Sequence, residues 1–250
     1  MNKFIFTASV CAAFFFAACG DDSSSVEPFL DKSSSSVSSP MSSWSGGGAG
    51  AIGSITDTRD GQTYKTVVIG TQTWMAQNLN YETADSYCYN DSAKYCEKYG
   101  RLYTWAAAMD SVGTWSSNGK GCGYNKTCTP TYPVRGVCPT GWHLPKKAEF
   151  ETLFTVVGGQ AVAGTKLKST SGWNNSGNGT DDYSFSALPA GDSNYNEDYD
   201  GQGHYAVFWS STEYSSDYAY RMYLEYDIDN VGLYYYFKSN GLSVRCVKDE

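Results

Sequence analysis

The sequence has little histidine, no excess of positive charge and no long apolar segment beyond its first residues. Only two histidines, His143 and His204, occur in 250 residues, which leaves little scope for a His-based general acid–base system. The sequence contains no Ser–His–Asp order, nucleophile elbow or H-E-x-x-H motif. The formal net charge of −8 disfavours nucleic acid as a partner, because nucleic-acid binding requires a basic surface. We therefore expect a protein that is not an enzyme and does not bind nucleic acid.

The N-terminal segment is typical of an export signal. Lys3 supplies a positive charge, residues 4–16 form a short apolar stretch, and small residues precede Cys19 as in a lipoprotein cleavage box. The apolar stretch is too short to span a bilayer as a mature helix. We expect residues 1–18 to be a lipoprotein signal peptide and Cys19 to become the lipidated N-terminus. An ordinary signal peptide with an incidental cysteine is the alternative.

The expected lipid anchor is the only membrane contact, since no later segment is apolar enough to be a second span. The sequence thus predicts an exported, membrane-anchored lipoprotein at the outer membrane or cell surface. Residues 19–54 are rich in Ser and Gly and have almost nothing to bury, so they read as a flexible tether. Residues 55–250 form the expected domain.

Six cysteines remain for disulfide bonds, because Cys11 belongs to the expected signal peptide and Cys19 is the expected lipidation site. An even number in an exported chain predicts disulfides, although six cysteines allow fifteen pairings. Zinc is the competing use, but there is no C-x-x-C pair and export favours oxidation. Loop closure favours two short links and leaves one long one: Cys88–Cys96, Cys122–Cys128 and Cys138–Cys246.

The hydrophobic pattern predicts strands at both ends of the domain and helices between them. Residues 100–109 and a segment that begins at Pro145 and ends before Gly158 favour two helices. Residues 172–203 are irregular and rich in Asn, Asp and Gly. The predicted strands are 63–69, 74–79, 206–210, 218–226, 231–238 and 242–247. This order indicates an α+β fold with a mixed or antiparallel sheet, long irregular loops and disulfides.

Two polar regions are candidate sites. His143 stands between Trp142 and Leu144, so we expect a structural residue that bonds to backbone rather than a catalytic one, and Glu149 is expected on a helix surface. Residues 192–201 form an acidic loop in which oxygen-bearing side chains alternate before Gly201, as at the start of a calcium loop. The twelfth position is Val207 rather than Glu, so this is not an EF-hand, and a solvated acidic loop is the alternative. The candidate calcium ligands are Asn196, Asp198 and Asp200.

Tyrosine is abundant, with 21 residues, and many lie in strand-like segments near the C-terminus. Alternation along a strand turns half of such residues outward. Outward tyrosines beside small polar residues suit the recognition of sugars or of a protein, because rigid rings supply contact area. Cross-strand pairs that only stabilise the sheet are the alternative. The candidate ligand-binding residues are Tyr195, Tyr199, Tyr218, Tyr220, Tyr234 and Tyr236, whereas Trp74, Trp105, Trp142 and Trp209 are expected in the core.

Six motifs occur in order, and together they resemble the FISUMP family, the Fibrobacter succinogenes major paralogous domain. They lie at residues 70–80, 100–109, 136–145, 185–191, 208–213 and 241–248. The resemblance covers about residues 56–249. It implies an exported or surface-anchored bacterial protein, often a lipoprotein, with a fold similar to C-type lectin-like domains. It implies no established activity and no catalytic set.

The sequence therefore predicts a surface- or envelope-anchored lipoprotein with a non-catalytic binding or adhesion domain. Glycans, and plant cell-wall polysaccharide in particular, are the first ligand class to test. A structural or protein-interaction component of the envelope is one alternative. A carboxylate-dependent glycoside hydrolase is the second, since Asp and Glu are plentiful.

Overall fold

Strands dominate the domain, and helices lie between them. The structure is a computed structural model, and it describes residues 50–250. The predicted signal peptide, Cys19 and residues 19–49 of the predicted tether lie outside the described residues. The strands are β1 (Ile52–Thr56), β2 (Thr63–Ile69), β3 (Gln72–Met75), β4 (Ser86–Tyr87), β5 (Leu102–Tyr103), β6 (Trp142–His143), β7 (Asp192–Ser193), β8 (Tyr199–Asp200), β9 (Tyr205–Glu213), β10 (Tyr218–Glu225), β11 (Val231–Phe237), β12 (Leu242–Ser243) and β13 (Val247–Lys248). The α-helices are α1 (Ala93–Tyr99), α2 (Trp105–Ala108), α3 (Lys147–Val156) and α4 (Gln160–Leu167).

The strands of residues 50–250 form two larger sheets and one hairpin. One sheet has five strands in the order β1-β2-β3-β13-β6, and the other has six in the order β11-β10-β9-β12-β5-β4. All pairings are antiparallel except that of β12 with β9, and β7 pairs with β8 alone. The expected α+β class with mixed and antiparallel sheets is confirmed. The expectation of two helices is wrong, because the described chain has four.

The β2–β3 hairpin follows directly from the local sequence. In β2 the side chains of Tyr64 and Thr66 are buried while Lys65 between them is exposed, which is the alternation of a half-buried strand. Ile69 pairs with Gln72, so two residues form the turn, and Gly70 there has a φ of 64°. The domain begins earlier than residue 55, since β1 starts at Ile52 and pairs with β2.

The predicted helix over residues 100–109 is mostly not helical. Leu102 and Tyr103 form β5, which pairs with β12 and β4, so tertiary pairing overrides the local pattern here. Only α2 is helical, and it begins where the Thr104 hydroxyl accepts a hydrogen bond from the Ala107 amide at 3.2 Å. Two helices, α1 and α4, were not expected. In α4 the helix-weakening Gly164 lies against the carbonyl oxygen of Asn230, where a Cβ has no room.

Two hydrophobic clusters form the core. The first lies under α3 and α4, and in it Trp74 stacks on Phe150 with ring centroids 5.4 Å apart. The second contains Trp105, Trp142 and Trp209. The four tryptophans predicted to be in the core are all buried, which confirms that expectation.

The segment of residues 242–247, predicted as one strand, divides between the two sheets. β12 belongs to the six-stranded sheet and β13 to the five-stranded one. Between them Arg245 is fully buried; its Nε donates to Asn78 Oδ1 at 2.9 Å, and its two terminal nitrogens donate to the carbonyl oxygens of Phe185 and Ser186. Burial lowers the pKa of Arg245 to about 9. The chain therefore passes from one sheet to the other at a buried guanidinium, which donates hydrogen bonds to the carbonyl oxygens of Phe185 and Ser186.

Disulfide bonding is confirmed. The bonds join Cys88 to Cys96, Cys122 to Cys128 and Cys138 to Cys246, which are the pairs that loop closure favoured. The long disulfide closes 108 residues and lies in the second hydrophobic cluster. Between residues 50 and 250 no helix has both the length and the apolar composition needed to cross a membrane.

Candidate functional site

A cluster of exposed aromatic rings lies at the open end of the β10–β11 pair. Tyr218 pairs with Phe237 and Tyr220 with Tyr235 across the two strands. Residues two apart share a face of a strand, so these four side chains lie on one face. Tyr214, just after β9, stacks on the Tyr235 ring at 4.2 Å between centroids with 8° between the ring planes. We call these five residues the aromatic platform.

The rings of the platform contact one another and remain open to solvent. Tyr218 lies 4.4 Å from Phe237 and 5.4 Å from Tyr235, measured between centroids, and Tyr214 lies 5.6 Å from Tyr220. Tyr214 is 51% exposed, Tyr235 50% and Phe237 42%. Contacts of this kind fix the rings against one another, which lowers the entropy lost when a ligand binds.

The helices cover only the other end of the same face. Met222 and Leu224 continue the face of Tyr218 and Tyr220 along β10, and both are buried in the cluster with α3 and α4. On β11 the inward residue at that end is Val231. The platform is therefore the part of one sheet face that the helices leave open.

A buried ion pair supports the platform from beneath. Lys238 follows Phe237 directly, its side chain is fully buried, and its Nζ lies 2.5 Å from Glu213 Oε1. Glu213 precedes Tyr214, and its carboxylate also accepts the Cys128 amide at 3.2 Å. Lys238 Nζ further donates to the carbonyl oxygens of Lys126 and Ser216, each at 3.0 Å. Both ends of the platform are thus tied to the loop that the Cys122–Cys128 disulfide closes.

The six predicted ligand-binding tyrosines do not form one surface. Tyr218 and Tyr220 lie in the platform. Tyr234 and Tyr236 point to the opposite face of the sheet, because each is one residue out of step with Tyr235 and Phe237. Tyr195 is 73% exposed in the β7–β8 turn. Tyr199 packs on Tyr89, and its hydroxyl donates to Asp91 Oδ1 at 2.5 Å.

Sequence reasoning missed three members of the platform. Tyr235 and Phe237 could have been found by pairing the strands, because the inward Val231 fixes which alternate residues of β11 share the inner face. Tyr214 lies outside the strands, and no periodicity signals its stacking on Tyr235.

Two carboxylates lie close together on the β7–β8 hairpin. Asp192 and Asp200 are directly opposite partners, and the Tyr205 hydroxyl lies 3.2 Å from Asp192 Oδ1 and 3.4 Å from Asp200 Oδ2. Burial raises the pKa of Asp192. Asp192 is only 5% exposed, whereas Asp200 is exposed. The two carboxyl groups therefore lie in different environments, the first buried and the second open to solvent.

Some side-chain oxygens of the acidic loop form hydrogen bonds within the loop itself. The Asn194 side chain donates to Asp198 Oδ2 at 3.1 Å and accepts the amides of Asn196 and Asp198. Asp200 lies beside the Tyr205 hydroxyl, as described above. Within residues 50–250, no group of three or more His, Cys, Asp or Glu side chains is placed to hold a metal ion.

His143 bonds to two carboxylates, not to backbone as expected. Its Nδ1 lies 2.7 Å from Asp249 Oδ1, and its Nε2 lies 2.8 Å from Glu149 Oε1. Glu149 is therefore not a free surface residue, and its other oxygen accepts the Lys146 amide at 2.7 Å. Burial acts to lower the pKa of His143, but the hydrogen bonds and charges of Glu149 and Asp249 outweigh it, and the pKa is raised. The histidine links α3 to the C-terminal end of β13.

The model of the Fibrobacter succinogenes major domain matches residues 67–248, which is well over half of the chain. The chain belongs to this family. No curated protein and no solved structure matches the chain. In this member of the Fibrobacter succinogenes major domain family, the whole aromatic platform and all three disulfides lie within the matched residues, whereas β1 and Asp249 lie outside them.

Proposed function

We propose that this member of the family is an exported, lipid-anchored envelope protein whose domain, similar to C-type lectin-like domains, binds glycans without catalysis. The aromatic platform is the observation that carries the proposal. Residues 1–18 and Cys19 support export and lipidation through their resemblance to a lipoprotein signal. Plant cell-wall polysaccharide is the ligand class that we place first.

The chemistry of the platform suits sugar rings. A pyranose presents flat C–H faces and a hydroxyl edge, so exposed phenol rings bind it by apolar contact while their hydroxyls and nearby polar groups form hydrogen bonds. Tyr214 and Tyr235 present two such rings in a stacked pair. Within the described part of the chain, the one cation over a platform ring is Lys147, 5.4 Å from the Tyr220 centroid, and it is paired with Glu151 at 2.5 Å. A neutral ligand therefore fits better than a charged one.

The test is retention of the purified chain on insoluble cellulose and xylan and on a glycan array. We expect Tyr235→Ala and Tyr214→Ala to lower the affinity about tenfold each, because stacking on one ring contributes roughly 1–2 kcal/mol. Tyr195→Ala is the matched control, since Tyr195 is an exposed tyrosine outside the platform. The control should bind like the parent chain.

A protein ligand is the second candidate. β11 is an edge strand of the six-stranded sheet and carries no charged residue, so it offers unpaired backbone groups beside the platform. Absence of glycan binding together with cross-linking to an envelope protein through Tyr235 would favour this candidate. Release of reducing sugar by the parent chain, lost in Asp200→Asn, would favour the hydrolase alternative.

A further inference from the structure

β11 has the longest unpaired strand edge in the described part of the chain. It has seven residues and ends one side of the six-stranded sheet, whereas the edge strands β4 and β6 have two residues each. β1, the remaining edge of the larger sheets, has five residues with Gly53 and Ser54 among them. Proteins usually protect an edge by making it short, charged, proline-containing or bulged. β11 has neither charge nor proline, and its register with β10 has no shift.

The backbone groups of β11 point alternately toward β10 and away from it, as in any antiparallel pair. The amide of Lys238, the next residue, donates to the carbonyl oxygen of Asp217 just before β10 at 2.9 Å, which fixes the alternation. Every second residue before Lys238 also faces β10, and the others face outward. The outward residues are Val231, Leu233, Tyr235 and Phe237. Within residues 50–250, none of their outward N–H groups donates a hydrogen bond.

The side chains of β11 match those of a second, antiparallel β11. When Tyr235 lies opposite Tyr235 of the second copy, Leu233 lies opposite Phe237 and Tyr234 lies opposite Tyr236. Aromatic pairs and pairs of an aromatic with an aliphatic residue stabilise neighbouring strands. In this register outward backbone groups also meet outward backbone groups, so the two strands can exchange hydrogen bonds. The edge is therefore complementary to itself.

The charges around β11 favour the antiparallel orientation. The strand itself is uncharged, so no like charges meet along the contact. Asp227 and Asp229, which precede β11, are exposed. An antiparallel pair keeps these acidic residues of the two copies at opposite ends of the contact, whereas a parallel pair would bring them together. Like charges that face each other across strands are destabilising.

The area of the contact indicates a weak dimer. Tyr234 is 54% exposed, Tyr235 50% and Phe237 42%. With about 200 Å² for a whole aromatic side chain, three half-exposed rings on each copy offer about 600 Å² in total. The backbone edge adds to this, so the contact falls at the small end of specific interfaces, below about 1,200 Å². The proposed lipid anchor would hold the copies at one surface, where a weak contact is sufficient.

We propose that two copies of this chain pair through β11 as a two-fold symmetric, antiparallel dimer in which the two six-stranded sheets are continuous. The pairing uses backbone groups in the plane of the sheet, whereas the platform rings stand on its face. A two-fold axis perpendicular to the sheet keeps corresponding faces on the same side, so the two aromatic platforms adjoin and form one longer surface. The binding of one long ligand by both platforms rests on the proposed glycan function, whereas the dimer does not.

The experiment is sedimentation equilibrium of the purified chain without ligand, from about 1 μM to about 500 μM, the range that suits a small interface. We expect a monomer–dimer equilibrium. Tyr235→Lys and Tyr235→Glu each place like charges at the two-fold axis and should each weaken the dimer about tenfold or more, whereas an equal mixture of the two variants should associate. Tyr214→Lys is the matched control, since Tyr214 is a 51% exposed platform residue outside β11, and it should dimerise like the parent chain.

Hydrogen exchange separates edge pairing from any other self-contact. The Tyr235 amide faces outward, so its exchange should slow as the chain concentration rises, whereas the Tyr236 amide faces β10 and should be protected at every concentration. The inference is overturned if the parent chain stays monomeric, if Tyr235→Lys dimerises like the parent, if Tyr214→Lys dissociates as well, or if the mixture of charged variants stays monomeric. Capture of a different protein at β11 by a monomeric chain would also overturn it. Absence of glycan binding by an intact dimer would refute the proposed function alone.

Discussion

The link between His143 and two carboxylates makes the stability of the domain depend on pH in a specific direction. Replacing His143 by Gln keeps a donor for one carboxylate but removes the positive charge that both of them face. The side chain of His143 is 5% exposed, and those of Glu149 and Asp249 are 20% and 41% exposed. The cost should therefore lie between that of a buried pair, about 3–5 kcal/mol, and that of a surface pair, about 0–1 kcal/mol. We expect about 1–3 kcal/mol, with a change in Tm of roughly 2–4 °C for each kcal/mol.

The sign of the pH effect follows from the direction of each pKa shift. Folding raises the pKa of His143, so its contribution is complete below the unfolded value of 6.5 and is lost as pH rises through the folded value. Burial acts to raise the pKa of Glu149, but its bond to His143 outweighs this and the pKa is lowered. The contribution of Glu149 is therefore present above 4.5 and is lost as pH falls through the folded value. The link stabilises the domain most between these two unfolded values.

Urea unfolding at about pH 5.5 and about pH 8.5 measures the effect, because only the lower pH lies between the unfolded pKa values of Glu149 and His143. The difference in unfolding free energy between the parent chain and His143→Gln should be large at the lower pH and should shrink at the higher one. His204→Gln is the control, since His204 is exposed and is the only other histidine. A difference that stays constant, or that grows with pH, would refute the reasoning.

Two further predictions concern cysteines. Cys19→Ser should abolish incorporation of labelled fatty acid and release the chain from the membrane fraction, and continued labelling would contradict the proposed anchor. Replacing Cys138 and Cys246 together by Ser should lower the unfolding free energy by about 4–5 kcal/mol, against about 2 kcal/mol for either short disulfide, because the long bond closes the larger loop. Equal losses from the long and the short bonds in urea unfolding would show that loop length does not govern the effect.

The parts of the fold that could be predicted from the sequence are those that local pattern decides. The strand predicted over residues 63–69 coincides with β2, whereas the partner predicted over 74–79 lies at Gln72–Met75, because the turn after Ile69 has only two residues. The short strands β5 and β12 have only two residues each, and they exist because partners distant in sequence pair with them. The same holds for the break at Arg245, where a strand-like pattern crosses from one sheet to the other. A local pattern carries no information on which sheet a residue joins.

The candidate site was predictable in composition but not in geometry. An excess of tyrosine in the last strands indicated an aromatic surface, yet Tyr234 and Tyr236 turn away from it, because a shift of one residue changes the face.

The Cys122–Cys128 disulfide connects the loop that contacts the platform to the core. The platform lies at β11, which is one edge of the six-stranded sheet. Edges have few core contacts to hold their loops. At the platform the Cys122–Cys128 loop is held by Glu213, whose carboxylate accepts the Cys128 amide at 3.2 Å. Cys122 is fully buried in the second hydrophobic cluster and Cys128 packs against that cluster, so this disulfide ties the platform to the core in which the long disulfide also lies.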